Sequence, residues 1–136
     1  MIRYMLDTNT VSEFIRGNES LTRQIIHVPM AQLAISAVVA GELHYGIAKR
    51  PDVVRLRRVV HEFLIRVQIL PWDESIAQHY GTFRASVQNQ GLMLTPLDMM
   101  IAAHAHALGT VLISHDGAFK KIPHLQVEDW LLNDRV

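Results

Sequence analysis

The sequence predicts an α/β fold in which a mostly parallel central sheet is covered by helices. Two observations predict it. Short apolar runs alternate along the chain with longer segments of helical periodicity, and Gly and Pro punctuate the changes. The short runs are apolar on both faces, as in the buried strands of a parallel sheet. In such a fold, ligands bind beyond the carboxyl ends of the strands.

The first strand and helix follow each other directly. Residues 3–6 predict a strand, and residues 10–16 predict a short helix. Thr10 is the expected cap of that helix, Glu13 the residue that reaches back to it, and Gly17 the residue that ends it.

A second helix, a second strand and a longer helix come next. Residues 21–26 predict the short helix and residues 32–35 the apolar strand. Ser36 is the expected cap of the helix over residues 37–49, which ends as the chain approaches Pro51.

The middle of the chain predicts two helices around a strand. Residues 53–65 carry apolar side chains at helical spacing with arginines on the other side, which is typical of an amphipathic helix. Residues 67–70 predict a strand that Pro71 closes, and residues 74–89 predict a helix followed by Gly91.

The last predicted elements are a helix and two strands. Thr95 and the proline after it open a helix that runs to residue 108 and stops at Gly109. Residues 110–113 are apolar and rich in β-branched side chains, which favours a strand, and residues 125–127 predict a final short strand.

Bulk properties narrow the class of protein. The length of 136 residues predicts one domain over residues 1–136, and a hydrophobic content of 49% is ordinary for a globular protein. The formal net charge is zero, which excludes an overall basic balance but allows a basic face beside an acidic pocket. No cysteine is present, so disulfides and thiolate metal sites are excluded. With neither a signal peptide nor an apolar run of membrane-spanning length, we expect a soluble cytoplasmic protein without membrane partners.

Four acidic residues fall at one edge of the predicted sheet. Asp7 ends the first strand, and Asp116 follows the strand over residues 110–113. Glu42 and Asp98 lie near the starts of two helices. Because the carboxyl ends of parallel strands share one edge, we expect these four carboxylates to converge.

Each carboxylate also has a structural interpretation. Asp98 could be the cap partner of Thr95, and Asp116 could belong to an Asp-Gly turn. Glu42 could be a solvated helix residue. Asp7 is the hardest to explain in this way, because an acid placed against a buried strand needs a partner.

A cluster of four carboxylates calls for a cation. Two carboxylates about 5 Å apart repel each other by about 3 kcal/mol at an effective dielectric constant of about 20. Oxygen ligands without cysteine favour Mg²⁺ or Mn²⁺. One or two such ions can activate a water molecule and stabilise the oxygens of a phosphodiester. The cluster therefore predicts nuclease chemistry.

Basic residues and histidines add weaker signals. The basic group from Lys49 to Arg66, with Arg55, Arg57 and Arg58 as its central members, forms either a phosphate-binding face, if it borders the acidic edge, or a solvated helix face. His104 and His106 are two positions apart in a helix, which predicts one packed and one exposed ring without a shared ion.

Four ordered segments make the chain similar to a known family. They read YMLDTNTVSEFI, AISAVVAGELHYGI, TPLDMMIAAHAHALGTVLISHD and FKKIPHLQVEDW, and together they span nearly the whole chain. In this order they resemble the PIN-domain ribonucleases, and among them the VapC-type toxins of bacterial toxin–antitoxin pairs.

The resemblance assigns roles to individual residues. Asp7, Glu42 and Asp98 match the family's near-constant acids, and Asp116 matches its more variable fourth acid, so all four are the implied catalytic metal ligands. The polar residues next to these acids, Thr8, Asn9 and Ser114, match supporting positions. His115 departs from the Asn or Ala common at its position, which leaves contact with RNA, metal or solvent open.

The resemblance also implies a fold, an activity and partners. The fold is a Rossmann-like α/β/α sandwich, and the activity is Mg²⁺- or Mn²⁺-dependent endoribonucleolytic cleavage of a structured RNA, tRNA or ribosomal RNA. A homodimer neutralised by a cognate VapB-type antitoxin is the implied assembly.

Other functions are open to a chain of this kind. A PIN-fold module that binds RNA or a partner without cutting is the main alternative, although a complete acidic set disfavours it. A phosphatase that uses Asp7 as nucleophile would need a second acid two residues later, where this chain has Asn9. A phospho-acceptor receiver would need a lysine after a late strand, and the segment VLISHDG contains none.

Overall fold

The structure confirms an α/β sandwich built on a parallel sheet. The computed structural model describes residues 1–131; residues 132–136, which the one-domain prediction includes, lie outside the described residues. The five strands of the sheet are β1 Tyr4–Leu6, β2 Leu33–Ser36, β3 Gln68–Leu70, β4 Val111–Ile113 and β5 Val127–Glu128. Around it lie α1 Thr8–Ile15, α2 Glu19–Ile26, α3 Ala37–Ala48, α4 Val54–Arg66, α5 Glu74–Asn89, α6 Pro96–Ala107 and α7 Gly117–Lys120.

The first strand lies at the centre of the sheet. The strand order is β3-β2-β1-β4-β5, and all four pairings are parallel. Leu6 pairs with Ile113 in register, so β1 and β4 end side by side. Because every strand runs in the same direction, the residues that follow β1, β2 and β4 emerge at one edge.

The core is formed by the central strands and the helices packed on them. Met5, Leu6, Leu112 and Ile113 are at most 1% exposed. On α6, Met99 and residues 101–105 are buried and pack the helix against the sheet. This packing places the ends of β1 and β4 beneath the acidic edge.

The helix after β1 begins earlier than the sequence predicts. It starts at Thr8, and its cap is Asp7, whose carboxylate accepts a hydrogen bond from the amide of Thr10 at 2.8 Å. The predicted cap, Thr10, is wrong because its hydroxyl donates to the carbonyl of Ile113 at 3.0 Å instead. Glu13 pairs with Arg16 at the far end of the helix rather than with the cap.

Two elements near the C-terminus also differ from the prediction. Asp116 does not sit in a simple turn, since it caps the one-turn helix α7 through the amide of Ala118. The last strand is Val127–Glu128 rather than residues 125–127, because the amide of Leu125 bonds to the carbonyl of Ile122 and so leaves the ladder.

Candidate functional site

Asp7 is fixed at the central edge of the sheet. Its amide donates to the carbonyl of Ile113 at 3.2 Å, which extends the pairing of β1 with β4 by one residue. Its side chain is 4% exposed and caps α1. The cap bond is the partner that a buried acid requires, and it engages one carboxylate oxygen.

Asp116 is held from the neighbouring strand. Ser114 follows β4, is fully buried, and accepts a hydrogen bond from the amide of Asp116 at 3.0 Å. Asp116 itself is exposed and accepts from the amide of Ala118 at 2.9 Å. Ser114 thus orients the loop that carries this carboxylate.

Glu42 reaches the same edge from α3. It is half-buried, and its carboxylate accepts a short hydrogen bond from the hydroxyl of Thr8. Since Thr8 directly follows Asp7, this bond ties the middle of α3 to the end of β1.

Asp98 is electrostatically coupled to the other three acids. It lies in the first turn of α6, where its amide donates to the hydroxyl of Thr95 at 3.2 Å. Burial raises the pKa of Asp98, and a hydrogen bond with Thr95 lowers it by a smaller amount. Three neighbouring carboxylates raise this pKa further: Asp116, Asp7 and Glu42. The structure therefore brings the four acids together.

The four carboxylates have no cationic partner among the described residues. None of them takes part in the ion pairs found within residues 1–131. In the same part of the chain, no three acidic or histidine side chains form a ready-made coordination sphere. The arrangement is a negatively charged pocket in which two of the carboxylates also cap helices, Asp7 at α1 and Asp116 at α7.

His115 does not simply face solvent. Its Nδ1 lies 2.8 Å from a carboxylate oxygen of Asp129, whose side chain is only 6% exposed. With Asn9 and Asp116, His115 also lines a hollow of about 300 Å³ beside the acidic edge. Sequence reasoning missed Asp129, which directly follows β5 as Asp7 follows β1, because the predicted strand ended at residue 127.

The three predicted RNA-binding arginines are exposed on α4 and line neither the hollow that contains Glu42 nor the one that contains Asp116. Arg57 donates to the carbonyl of Pro51 at 2.7 Å. Neither Arg55, Arg57 nor Arg58 lines the groove that Glu42 and Thr8 enter.

The histidines of α6 differ in part from the prediction. His104 is 1% exposed, with its Nδ1 2.8 Å from the hydroxyl of Ser36, as predicted for the packed ring. His106 is half-buried rather than exposed, because it stacks on His79 at 5.0 Å between ring centroids and shares a 2.8 Å hydrogen bond with it.

Comparisons with known proteins agree on one family. The family model described as PIN domain matches residues 4–125. The tRNA(fMet)-specific endonuclease VapC of Salmonella typhimurium is 34% identical over 131 residues, which cover 96% of this chain and 99% of that protein. Ribonuclease VapC2 of Haemophilus influenzae is 31% identical and is covered over its full length by 96% of this chain.

A solved structure shows the same fold. The crystal structure of VapBC2 from Rickettsia felis, bound to a DNA fragment from their promoter, contains a chain that superposes with a TM-score of 0.87 at 31% identity. The match covers 96% of this chain and 99% of that one. No helix within residues 1–131 is long and apolar enough to cross a membrane.

Proposed function

Because this chain belongs to the PIN-domain family, and within it to the VapC ribonucleases, we propose that its four carboxylates form the metal site of an endoribonuclease toxin. The chain is a hydrolase that acts on RNA and is neutralised by a VapB-type antitoxin. The observation that supports the proposed site most directly is the raised pKa of Asp98, which three other carboxylates increase.

The donor set fits a divalent cation. The four acids supply only oxygen atoms, which Mg²⁺ and Mn²⁺ prefer, and no cation within residues 1–131 pairs with them. We assign the ligand role to Asp7, Glu42, Asp98 and Asp116. A bound ion would supply an activated water and stabilise the charge on the phosphodiester oxygens.

The polar neighbours have positioning roles in this proposal. Thr8 holds the carboxylate of Glu42 toward the end of β1, and Ser114 fixes the backbone of Asp116. Asn9 is exposed beside Asp116, where its amide can contact RNA or water bound at the pocket. These residues orient ligands and substrate without reacting themselves.

We take the name of the Salmonella typhimurium relative as a guide to substrate and propose a structured RNA, with the initiator tRNA ahead of ribosomal RNA. Such a substrate places the protein in the cytoplasm. We further propose that residues 1–136 form a single domain and that the active toxin is a homodimer.

A PIN-fold module that binds RNA or a partner without cutting remains the second candidate. One observation favours it: residues 1–131 contain no ready-made coordination sphere of three ligands. An active enzyme requires the carboxylates now engaged in caps to share their free oxygens with an ion.

Cleavage of purified initiator tRNA distinguishes the two candidates. We expect discrete fragments with Mg²⁺ or Mn²⁺, none with EDTA, and a loss of about 100-fold or more in Asp7→Asn or Asp98→Asn, since preorganised electrostatic groups are worth that much. Glu19→Gln, an exposed acid in the first turn of α2, is the matched control and should cleave like the wild type.

Melting temperatures measured with and without metal complete the test. A metal-dependent rise in the wild type but not in Asp98→Asn would support the assigned ligands. Fragments that persist in EDTA would contradict the metal site, and metal binding without cleavage of tRNA or total RNA would favour the inactive module.

A further inference from the structure

A groove runs from the acidic pocket along the surface between α1, α3 and α4. Its volume is about 300 Å³. Its floor is apolar and includes side chains from two helices: Leu43, Ile47, Leu56 and Val60. Thr8 and Glu42 line the groove as well, so one of the four carboxylates, that of Glu42, lies in the groove.

Three cationic side chains line the same groove. Arg16 follows α1, while Lys49 and Arg50 follow α3, and all three are exposed. Arg16 pairs with Glu13 at 2.9 Å, and Lys49 lies 5.0 Å from the centre of the Tyr45 ring. Two exposed contacts of this kind bind the cations only weakly.

Arg50 is the least engaged of the three. Among residues 1–131, its guanidinium has no hydrogen bond, ion pair or ring contact. It therefore keeps its donors available for a ligand at the groove.

An RNA strand that approaches the four carboxylates requires cationic side chains beside the acidic pocket. An RNA strand that brings a phosphate to the four carboxylates is repelled by them, and the zero net charge of the chain supplies no overall attraction. Cations beside the pocket offset that repulsion locally and hold the neighbouring phosphates.

We propose that the RNA strand enters the active site along this groove, with its backbone phosphates bound by Arg16, Lys49 and Arg50. The proposal rests on the proposed ribonuclease function. Of the predicted basic group it keeps Lys49 and Arg50, and it adds Arg16 in place of Arg55, Arg57 and Arg58. The three groove cations are positioning residues, since they hold the substrate and leave the reacting phosphate to the carboxylates.

Two variants of equal charge test the proposal. Arg16→Gln/Lys49→Gln/Arg50→Gln removes three cations from the groove, and Arg55→Gln/Arg57→Gln/Arg58→Gln removes three from elsewhere. Both are made in the Asp98→Asn background, and binding of fluorescent initiator tRNA(fMet) is measured over a salt titration. Non-specific attraction changes equally in the two variants, so any difference reports the place of binding.

We expect the groove variant to bind about tenfold or more weakly at 0.1 M salt, with less than a threefold change in the control. The slope of log Kd against log salt should fall by about 2 in the groove variant, since each lost phosphate contact removes about 0.7. With Asp98 restored, KM should rise about tenfold while kcat stays within a factor of two.

Several outcomes would overturn the proposal. Equal effects of the two variants, or a loss of antitoxin binding without a loss of tRNA binding, would reject the groove while cleavage by the wild type keeps the ribonuclease function intact. No binding of tRNA or total RNA by the Asp98→Asn protein, together with no cleavage by the wild type, would reject both.

Folding is controlled separately. Arg16 and Lys49 also lie at the C-terminal ends of helices, where a cation stabilises the helix dipole. If the melting temperature of the groove triple variant falls by more than a few degrees, the test uses single substitutions instead. The tRNA affinity of Arg50→Gln is then compared with that of Arg58→Gln as its control. Equal tRNA affinities of that pair would overturn the proposal.

Discussion

At the scale of single residues, the electrostatic properties of the acidic pocket depend on how close its carboxylates lie to one another. Asp98 shows this most clearly, because both burial and neighbouring negative charges disfavour its ionised form. A raised pKa means that the ionised carboxylate costs stability at neutral pH, and that the cost is relieved as the pH falls through the folded-state pKa toward the unfolded value.

Asp98→Asn should therefore stabilise the metal-free protein at pH 7 while abolishing cleavage. We expect a rise of roughly 1–4 °C in melting temperature, since the amide keeps the shape and removes the repulsion. The gain should shrink as the pH falls toward 4, where the wild-type side chain becomes neutral as well. A clear loss of stability at pH 7 would mean that Asp98 acts mainly as a helix-terminal charge.

Sequence reasoning located the acids of the pocket because their position follows from chain order. Asp7 comes directly after β1 and Asp116 follows β4 by three residues, and a parallel sheet brings strand ends together. The same reasoning applied to Asp129 would have placed it at this edge, although its contact with His115 is decided by packing. It did not find the contacts of Thr10, because a hydroxyl buried against Ile113 is decided by the neighbouring strand.

At the scale of elements, α1 links the fold to the site because Asp7 is both its cap and a proposed metal ligand. Removing the carboxylate therefore combines two effects, loss of a charge and loss of a cap. The two can be separated, because Asn caps helices about as well as Asp does.

Asp7→Asn and Asp7→Ala should be equally inactive and differ in stability. The alanine variant loses the bond to the Thr10 amide and should unfold about 1 kcal/mol more easily than the asparagine variant. Urea denaturation of the metal-free proteins measures the difference. Equal midpoints for the two variants would show that the cap contributes nothing to α1.

The predictability of the elements follows the strength of local signals. α5 has the predicted bounds, because Asp73 caps it before a long run of helical periodicity. α7 was not predicted, because four residues carry no periodicity and Asp-Gly is more often a turn. The last strand moved because pairing with β4, rather than its own sequence, selects the bonded residues.

At the scale of the whole molecule, the buried His104 makes the free energy of unfolding depend on pH. Burial lowers the pKa of His104, against a weaker opposing effect of Asp73. The neutral ring is the form that the core favours. Its contribution to the free energy of unfolding is therefore complete above the unfolded-state pKa of about 6.5, and it is lost as the pH falls through the folded-state pKa.

We expect the free energy of unfolding to decline from pH 7.5 to pH 5.5, and His104→Gln to flatten part of that decline. Glutamine can keep a hydrogen bond to Ser36 without taking up a proton. One proton contributes at most about 1.4 kcal/mol per pH unit. The control is His61→Gln, an exposed residue on α4, and an unchanged slope in His104→Gln would contradict the prediction.

The sequence by itself predicted the alternation of strands and longer helices, the parallel sheet and the convergence of the four acids at one edge. These depend on local periodicity, caps and chain order, which are properties of neighbouring residues. The tertiary structure alone decided which side chains meet across the fold: Glu42 with Thr8, His115 with Asp129, and Arg16 with Lys49 and Arg50 along one groove. The members of these pairs lie 34 and 14 residues apart in the first two cases, so only the packing of helices on the sheet brings them together.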